Sequence, residues 1–168
     1  MSSSEPSAET DQPFFQIQNV YLKDLSLEQP NSPAIFLERE MPSVQVSLNV
    51  SSDTLAQTVF EVRVTVTVTA KAAEKTAYLV EGTQAGIFEI RNLPEGTLDQ
   101  VLFVNCAAIV YPYLRANIDD MVRRAGFPPV HLAEINFEAF FREKTLAEQS
   151  SRTGEDSAAN GASASDSP

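Results

Sequence analysis

The sequence predicts an α+β domain in which antiparallel strands come first and helices follow. Three observations carry this. The stretch from Val59 to Ile90, VFEVRVTVTVTAKAAEKTAYLVEGTQAGIFEI, begins with an unbroken period of two. Val44, Val46, Leu48 and Val50 alternate in the same way just before it. After Pro94 and Gly96 the apolar spacing lengthens to three and four, the helical period.

Taken in order, residues 1–13 are polar and poor in aromatics, which predicts a disordered acidic tail. FFQIQNVYL, 14–22, starts the folded body as a strand. Phe15, Ile17 and Tyr21 should share one face, with Gln16, Gln18, Val20 and Leu22 on the other. Such mixed faces suit an edge or interface strand. KDLSLE continues the alternation and sets Asp24, Ser26 and Glu28 on one side, most simply as a solvated strand end. Pro30 and Pro33 then mark a crossover loop, and Ile35 and Phe36 behind it need either burial or a use. After the Val44–Val50 strand, SSDTLAQ is a polar turn.

The central run is a hairpin. Val62, Val64, Val66 and Val68 point one way, while Glu61, Arg63, Thr65, Thr67 and Thr69 point the other. KAAEK breaks the run, and TAYLVE and GIFEI resume it. Two apolar stripes follow on one helix: Phe103, Ala107, Val110, Leu114, Ile118, Met121 and Ala125, and beside them Leu98, Leu102, Cys106, Ile109 and Tyr113. A sheet covers one side of a helix only, so the second stripe predicts self-association. Pro112 should kink this helix, and Gly126 with Pro128 and Pro129 should stop it. VHLAEI is a short link, and Asn136 can cap a last helix, FEAFFREKTLAEQ. From Ser150 the composition turns low-complexity, predicting a disordered tail over 150–168 and a domain over 14–149.

The 168 residues carry a net charge of −11, of which −6 lies on residues 14–149, so the body itself is acidic. That repels nucleic acid and anionic lipid and suits a cationic partner. The single cysteine, Cys106, excludes an intrachain disulfide and reads as a buried, inert thiol. No secretory signal opens the chain, and the uncharged stretch Gln100–Leu114 is short for a membrane span, which together predict a soluble, cytoplasmic protein.

Chemistry is sparse. His131 is the only histidine, with no nucleophile-elbow motif, no recurrent metal-ligand spacing and no phosphate loop in the chain. The reading is a protein that is not an enzyme and takes no cofactor or metal. The aromatics are the remaining signal: Phe14, Phe36, Phe137, Phe140 and Phe141 either fill the core or line an apolar groove. A groove beside a sheet edge would accept an extended chain.

These residues resemble the SecB family of bacterial protein-export chaperones. The resemblance covers about residues 14–145 and rests on FFQIQNVYLKDLSLE with PNSPAIF, on VTVTVTA with TAYLVE and GIF, on YPYLR, and on FPPVHLAEINFEAFF. It implies a four-stranded antiparallel sheet with a long and a shorter helix, assembled as a dimer of dimers. It implies an ATP-independent chaperone that keeps secretory precursors unfolded and delivers them to the SecA motor, whose C-terminal tail is basic and zinc-bound. Motor contact would fall on Asp24, Glu28, Leu79 and Glu81. The client groove would map to Phe36, Leu132, Ile135, Phe137, Phe140 and Phe141. The subunit interface would take in Val80, Gly82, Gln84, Leu102, Cys106 and Ile109. Gly82 departs from the β-branched residue that would suit such an interface, and His131 and Glu134 put ionisable groups in the link. A SecB-like chaperone of a toxin–antitoxin system is a close alternative. A small-ligand protein using the same cleft, or a purely structural oligomer, would need no affinity for unfolded chains.

Overall fold

A computed structural model describes residues 12–159, with side chains through residue 150. The expected tails at 1–11 and 160–168 lie outside the described residues. Four strands form one antiparallel sheet in the order β1-β4-β3-β2: β1 Phe14–Glu28, β2 Ser43–Ala56, β3 Val59–Ala72 and β4 Lys75–Arg91. A helix runs from Leu98 to Arg124 (α1), and a second spans Phe137–Ala159 (α2).

The period of two decides the sheet's centre. Val62, Val64, Val66 and Val68 of β3 are sealed under α1, which buries Val110, Leu114, Ile118 and Val122 against them. KAAEK closes the β3–β4 hairpin through Ala73 and Glu74, both with positive φ. Where α1 crosses β4 it lies close. A Cβ on Gly82 would stand 2.9 Å from Leu114 Cδ1, and one on Gly86 would stand 2.6 Å from the Phe88 ring and 2.9 Å from Val110.

Strand β1 departs from the expected faces. Its register with β4 skips Gln18 and Lys23, two β-bulges. The first bulge reverses the phase, so Tyr21 sits opposite Ala85 on the outer face while Val20 and Leu22 join Phe15 and Ile17 on the helix side. The second restores it for Asp24, Ser26 and Glu28, outward, and Leu25 and Leu27, inward. A bulge adds one unpaired residue, which a plain alternation count cannot see.

In α1 the segment Val101–Cys106 is a π turn between α-helical Leu98–Gln100 and Ala107–Arg124. Its wider spacing brings Leu102 and Cys106 inward together with Ala107, mixing the two expected stripes. By length and composition α1 could cross a bilayer, yet eight of its residues, Leu102, Cys106, Ala107, Val110, Tyr111, Leu114, Ile118 and Val122, are core. The helix continues through Pro112 and stops at Gly126, φ +90°, where Gly126 N–H donates to Arg123 and Phe127 N–H to Val122. That is a Schellman cap. Asn136 Oδ1 accepts from Ala139 N–H at 3.0 Å, capping α2 as expected. The helix then runs ten residues past Gln149, over sequence read as a disordered tail. Extending a nucleated helix is cheap, and Ala and Glu favour it.

Candidate functional site

Both edge strands leave apolar side chains on the helix side that α1 does not reach. On β2 these are Val44 (45% exposed) and Val46 (52%), whose neighbours Leu48 and Val50 pass progressively under cover. Opposite them stands the irregular link after α1. Phe127 to Ala133 forms a wall, held by the Tyr111 hydroxyl, which donates to the Ala133 carbonyl at 2.7 Å. Between floor and wall lies an apolar cavity of about 620 Å³, closed at the back by Tyr78 and Tyr111 and rimmed by Met41 and Pro42. Burial raises both phenols, so they stay neutral.

The crossover loop is pinned beside this trough. Gln29 Nε2 donates to Ala125 O (3.1 Å), Asn31 Nδ2 to Thr76 O (2.9 Å), and Ile35 is buried. Phe36, half exposed, therefore rests over Gly126 and stacks on Phe127 with centroids 5.0 Å apart; Phe127 in turn tilts against Tyr78 at 4.9 Å.

Of the six expected groove residues, Leu132 and Ile135 line the cavity and Phe36 stands at its edge. The other three do not line it. Phe137 is core at 4% exposure, edge-on to Tyr111 at 5.5 Å. Phe140 packs on that core, and Phe141 stacks on Phe103 at 5.9 Å, facing a separate shallow cleft. Helical spacing turns these rings toward the body of the protein. Sequence reasoning missed Val44, Val46, Tyr78 and Phe127. The apolar alternation of β2 held the signal, but only its place at the sheet edge shows that no neighbour covers it.

The residues expected at a subunit interface lie in β4 and α1. Val80, Gly82, Gln84, Leu102 and Cys106 are buried within the chain's own fold, and Ile109 is half-buried. Gly82 faces Leu114 and Ile118, so its missing side chain serves helix packing. Gln84 Oε1 accepts from Asn117 Nδ2 at 2.9 Å. Burial pushes the Cys106 thiol up to about 12, which keeps it protonated and inert.

The outer face of the sheet is the second candidate surface. Glu28 lies opposite Leu79, Ser26 opposite Glu81 and Asp24 opposite Thr83, so Asp24, Glu28, Leu79 and Glu81 come together on one flat face. Asp24, Glu28 and Glu81 are exposed, and Glu81 accepts from Thr67 Oγ1 at 2.8 Å. Nearer the β2–β3 turn, Glu61 is buried at 4% exposure on the same face. Tyr21 and Lys23 of β1 reach it across the small Ala85 of β4: the Tyr21 hydroxyl donates to Glu61 Oε1, and Lys23 Nζ lies 2.7 Å from the same oxygen. Arg63 Nη1 donates to Glu61 Oε2 at 2.7 Å and also to Asp53. Burial pushes the Glu61 carboxyl up, but these donors from Lys23, Tyr21 and Arg63 outweigh it and hold it below the usual value. Among the described residues no group of three His, Cys, Asp or Glu side chains is placed to hold a metal ion.

Comparisons with known proteins agree with this architecture. The family profile described as "Preprotein translocase subunit SecB" matches residues 8–148. The protein-export protein SecB of Janthinobacterium sp. (strain Marseille) is 63% identical, covering 82% of this chain and 85% of that protein. SecB of Paraburkholderia phymatum is 56% identical over 92% of this chain and 99% of its own length. Among solved structures, a SecB-like chaperone of Mycobacterium tuberculosis, in complex with a ChAD peptide from an antitoxin, shares the fold. Its TM-score is 0.59 at 18% identity, covering 72% of this chain and 90% of that one. Profile and relatives together make this chain a member of the SecB family, the chaperones of preprotein export.

Proposed function

We propose that the chain serves export with two surfaces on opposite faces of one sheet. The trough along β2 holds extended, apolar segments of unfolded secretory precursors, without ATP or catalysis. The outer face docks the basic, zinc-bearing tail of the SecA motor through Asp24, Glu28, Leu79 and Glu81. The observation that carries the first half is the trough itself. Its floor is an edge strand whose pairing with β3 is unbroken from Ser43 to Thr54, so the other edge is a straight row of backbone groups beside an apolar cavity. An extended client can bond to that edge and drop alternate side chains onto Val44, Val46 and Tyr78. Charge supports the second half, since a face rich in unpaired carboxylates attracts a basic tail and speeds its encounter.

The same reading places the protein in the cytoplasm as a dimer of dimers. Its contacts then fall on apolar residues that remain exposed: Phe15, Ile17 and Leu22 of β1, and Tyr113 on the outer side of α1. The toxin–antitoxin alternative is not favoured, because the close relatives are export proteins.

The test of the docking face is the double variant Asp24→Ala/Glu81→Ala, titrated with the motor's C-terminal tail by calorimetry. Affinity should fall at least about tenfold, a loss of ~1.4 kcal/mol, while binding of an unfolded precursor stays unchanged. Tail binding at wild-type strength would remove these residues from the site.

A further inference from the structure

Charge is unevenly distributed over the outer face. Toward the β2–β3 turn and the end of β4, each strand carboxylate has a cation. Glu61 lies between Lys23 and Arg63, both at 2.7 Å, Asp53 is on Arg63, and Glu89 is 3.3 Å from Arg91. Toward the β3–β4 hairpin the pattern reverses. Asp24, Glu28 and Glu81 have no ion pair among the described residues; of the hairpin's cations Lys75 is engaged with Glu38 at 3.1 Å, leaving Lys71 alone against three carboxylates. One of the neutralising cations is itself a product of the fold. Lys23 is the extra residue of a β1 bulge and crosses over β4 to reach Glu61.

Paired charges present only a short-ranged field, and salt screens what remains beyond a Debye length of about 8–10 Å. A cationic partner therefore senses the hairpin half of the face and little of the other. We infer that Lys23 and Arg91, with Arg63, set the boundary of the docking surface, confining a basic chain to the Asp24–Glu28–Glu81 end. The inference rests on the docking reading above and adds to it the residues that decide where docking stops.

Octalysine is a suitable probe, titrated into the full-length chain by calorimetry at low salt. Wild type should bind it, and Asp24→Asn/Glu81→Gln should lose that binding. Adding Lys23→Gln to the double variant strips one of the two cations from Glu61, whose Oε1 keeps the Tyr21 hydroxyl, and adding Arg91→Gln instead leaves Glu89 without its cation. Each should recover affinity by about threefold, the scale of one exposed charge pair. Arg63 is left intact, because Glu61 is buried and needs a cation, and thermal melting verifies that each variant is folded. No recovery in either folded variant overturns the boundary. So does octalysine binding that ignores Asp24→Asn/Glu81→Gln, since the whole face would then be equivalent. Failure of wild type to bind octalysine removes the docking reading first, and the boundary with it.

Discussion

The two edge strands of the sheet are alike in composition and opposite in design. Each exposes apolar side chains on the helix side: Phe15 (42%) and Ile17 (44%) on β1, Val44 and Val46 on β2. On β1 the ladder is interrupted by bulges at Gln18 and Lys23, and Tyr21 and Lys23 are tied across the sheet to Glu61. Among the described residues none of β1 lines the cavity that the link closes over β2, so on the proposed reading this flank meets another surface. On β2 the ladder is straight for twelve residues and the Phe127–Ala133 wall faces it. Strand β2 offers a slot for a chain. Bulges blunt an edge against stray pairing, and their absence from Ser43 to Thr54 leaves that part of the β2 edge open. The difference lies in backbone register and in the link, not in how apolar the strands are.

The largest way to break this comparison is to lift α1, which separates the two flanks. Gly86→Val would push a side chain into the buried Phe88 ring and Val110, neither of which has room to move. It should destabilise the chain by about 1–3 kcal/mol, read as a lower urea midpoint with both flanks disturbed. A sharper cut separates the flanks by function. Val46→Asp puts a charge on the trough floor and should weaken binding of an unfolded precursor about tenfold, ~1.4 kcal/mol. Val46 is half exposed, so stability should change by no more than about 0.5 kcal/mol. Ile17→Asp on the other flank should leave client affinity per chain unaltered; equal losses from both variants would dissolve the distinction.

The smallest effect concerns the tie that holds β1. The Glu61 carboxyl is held below the ordinary 4.5, so its folded form prefers the charged state. Its contribution is complete above the unfolded value and is lost as pH falls through the lower, folded one. Stability measured by urea unfolding should therefore decline on the acid side, and Glu61→Gln should flatten that limb while lowering stability at neutral pH. An unchanged acid limb in the variant would mean that other carboxylates carry it.

Much of this was legible in the residues. The valine alternation of β3 has one physical solution, burial of one face, and the structure adopts it. Gly126 and Asn136 act where their backbone and side-chain chemistry place them, as helix stop and cap. What the residues left open shares a cause. Tyr21 lies on the face opposite to the expected one because a bulge resets parity without altering composition. A helix that is apolar most of the way round does not say which side meets the sheet, and the π turn brings Leu102 and Cys106 to the buried side. The neighbour that Gly82 accommodates, Leu114, lies 32 positions along the chain, a contact that no local pattern announces. For Phe137 and Phe141 the residues alone leave core and groove open, because aromatic side chains on a helix serve both alike. For the acidic face, the register of β1 with β4 brings the four residues inferred from resemblance onto one surface.

The single thiol has one further consequence. Cys106, on the buried side of α1, is wholly enclosed, and its high proton affinity leaves almost no thiolate at neutral pH. An alkylating reagent reaches it only when the helix parts from the sheet, so the chain carries its own clock for that excursion. With reagent in excess, the pace of labelling counts how often the interior opens, without any engineered probe. The same clock, read with and without a bound client, tells whether a chaperone at work is tighter or looser than one at rest.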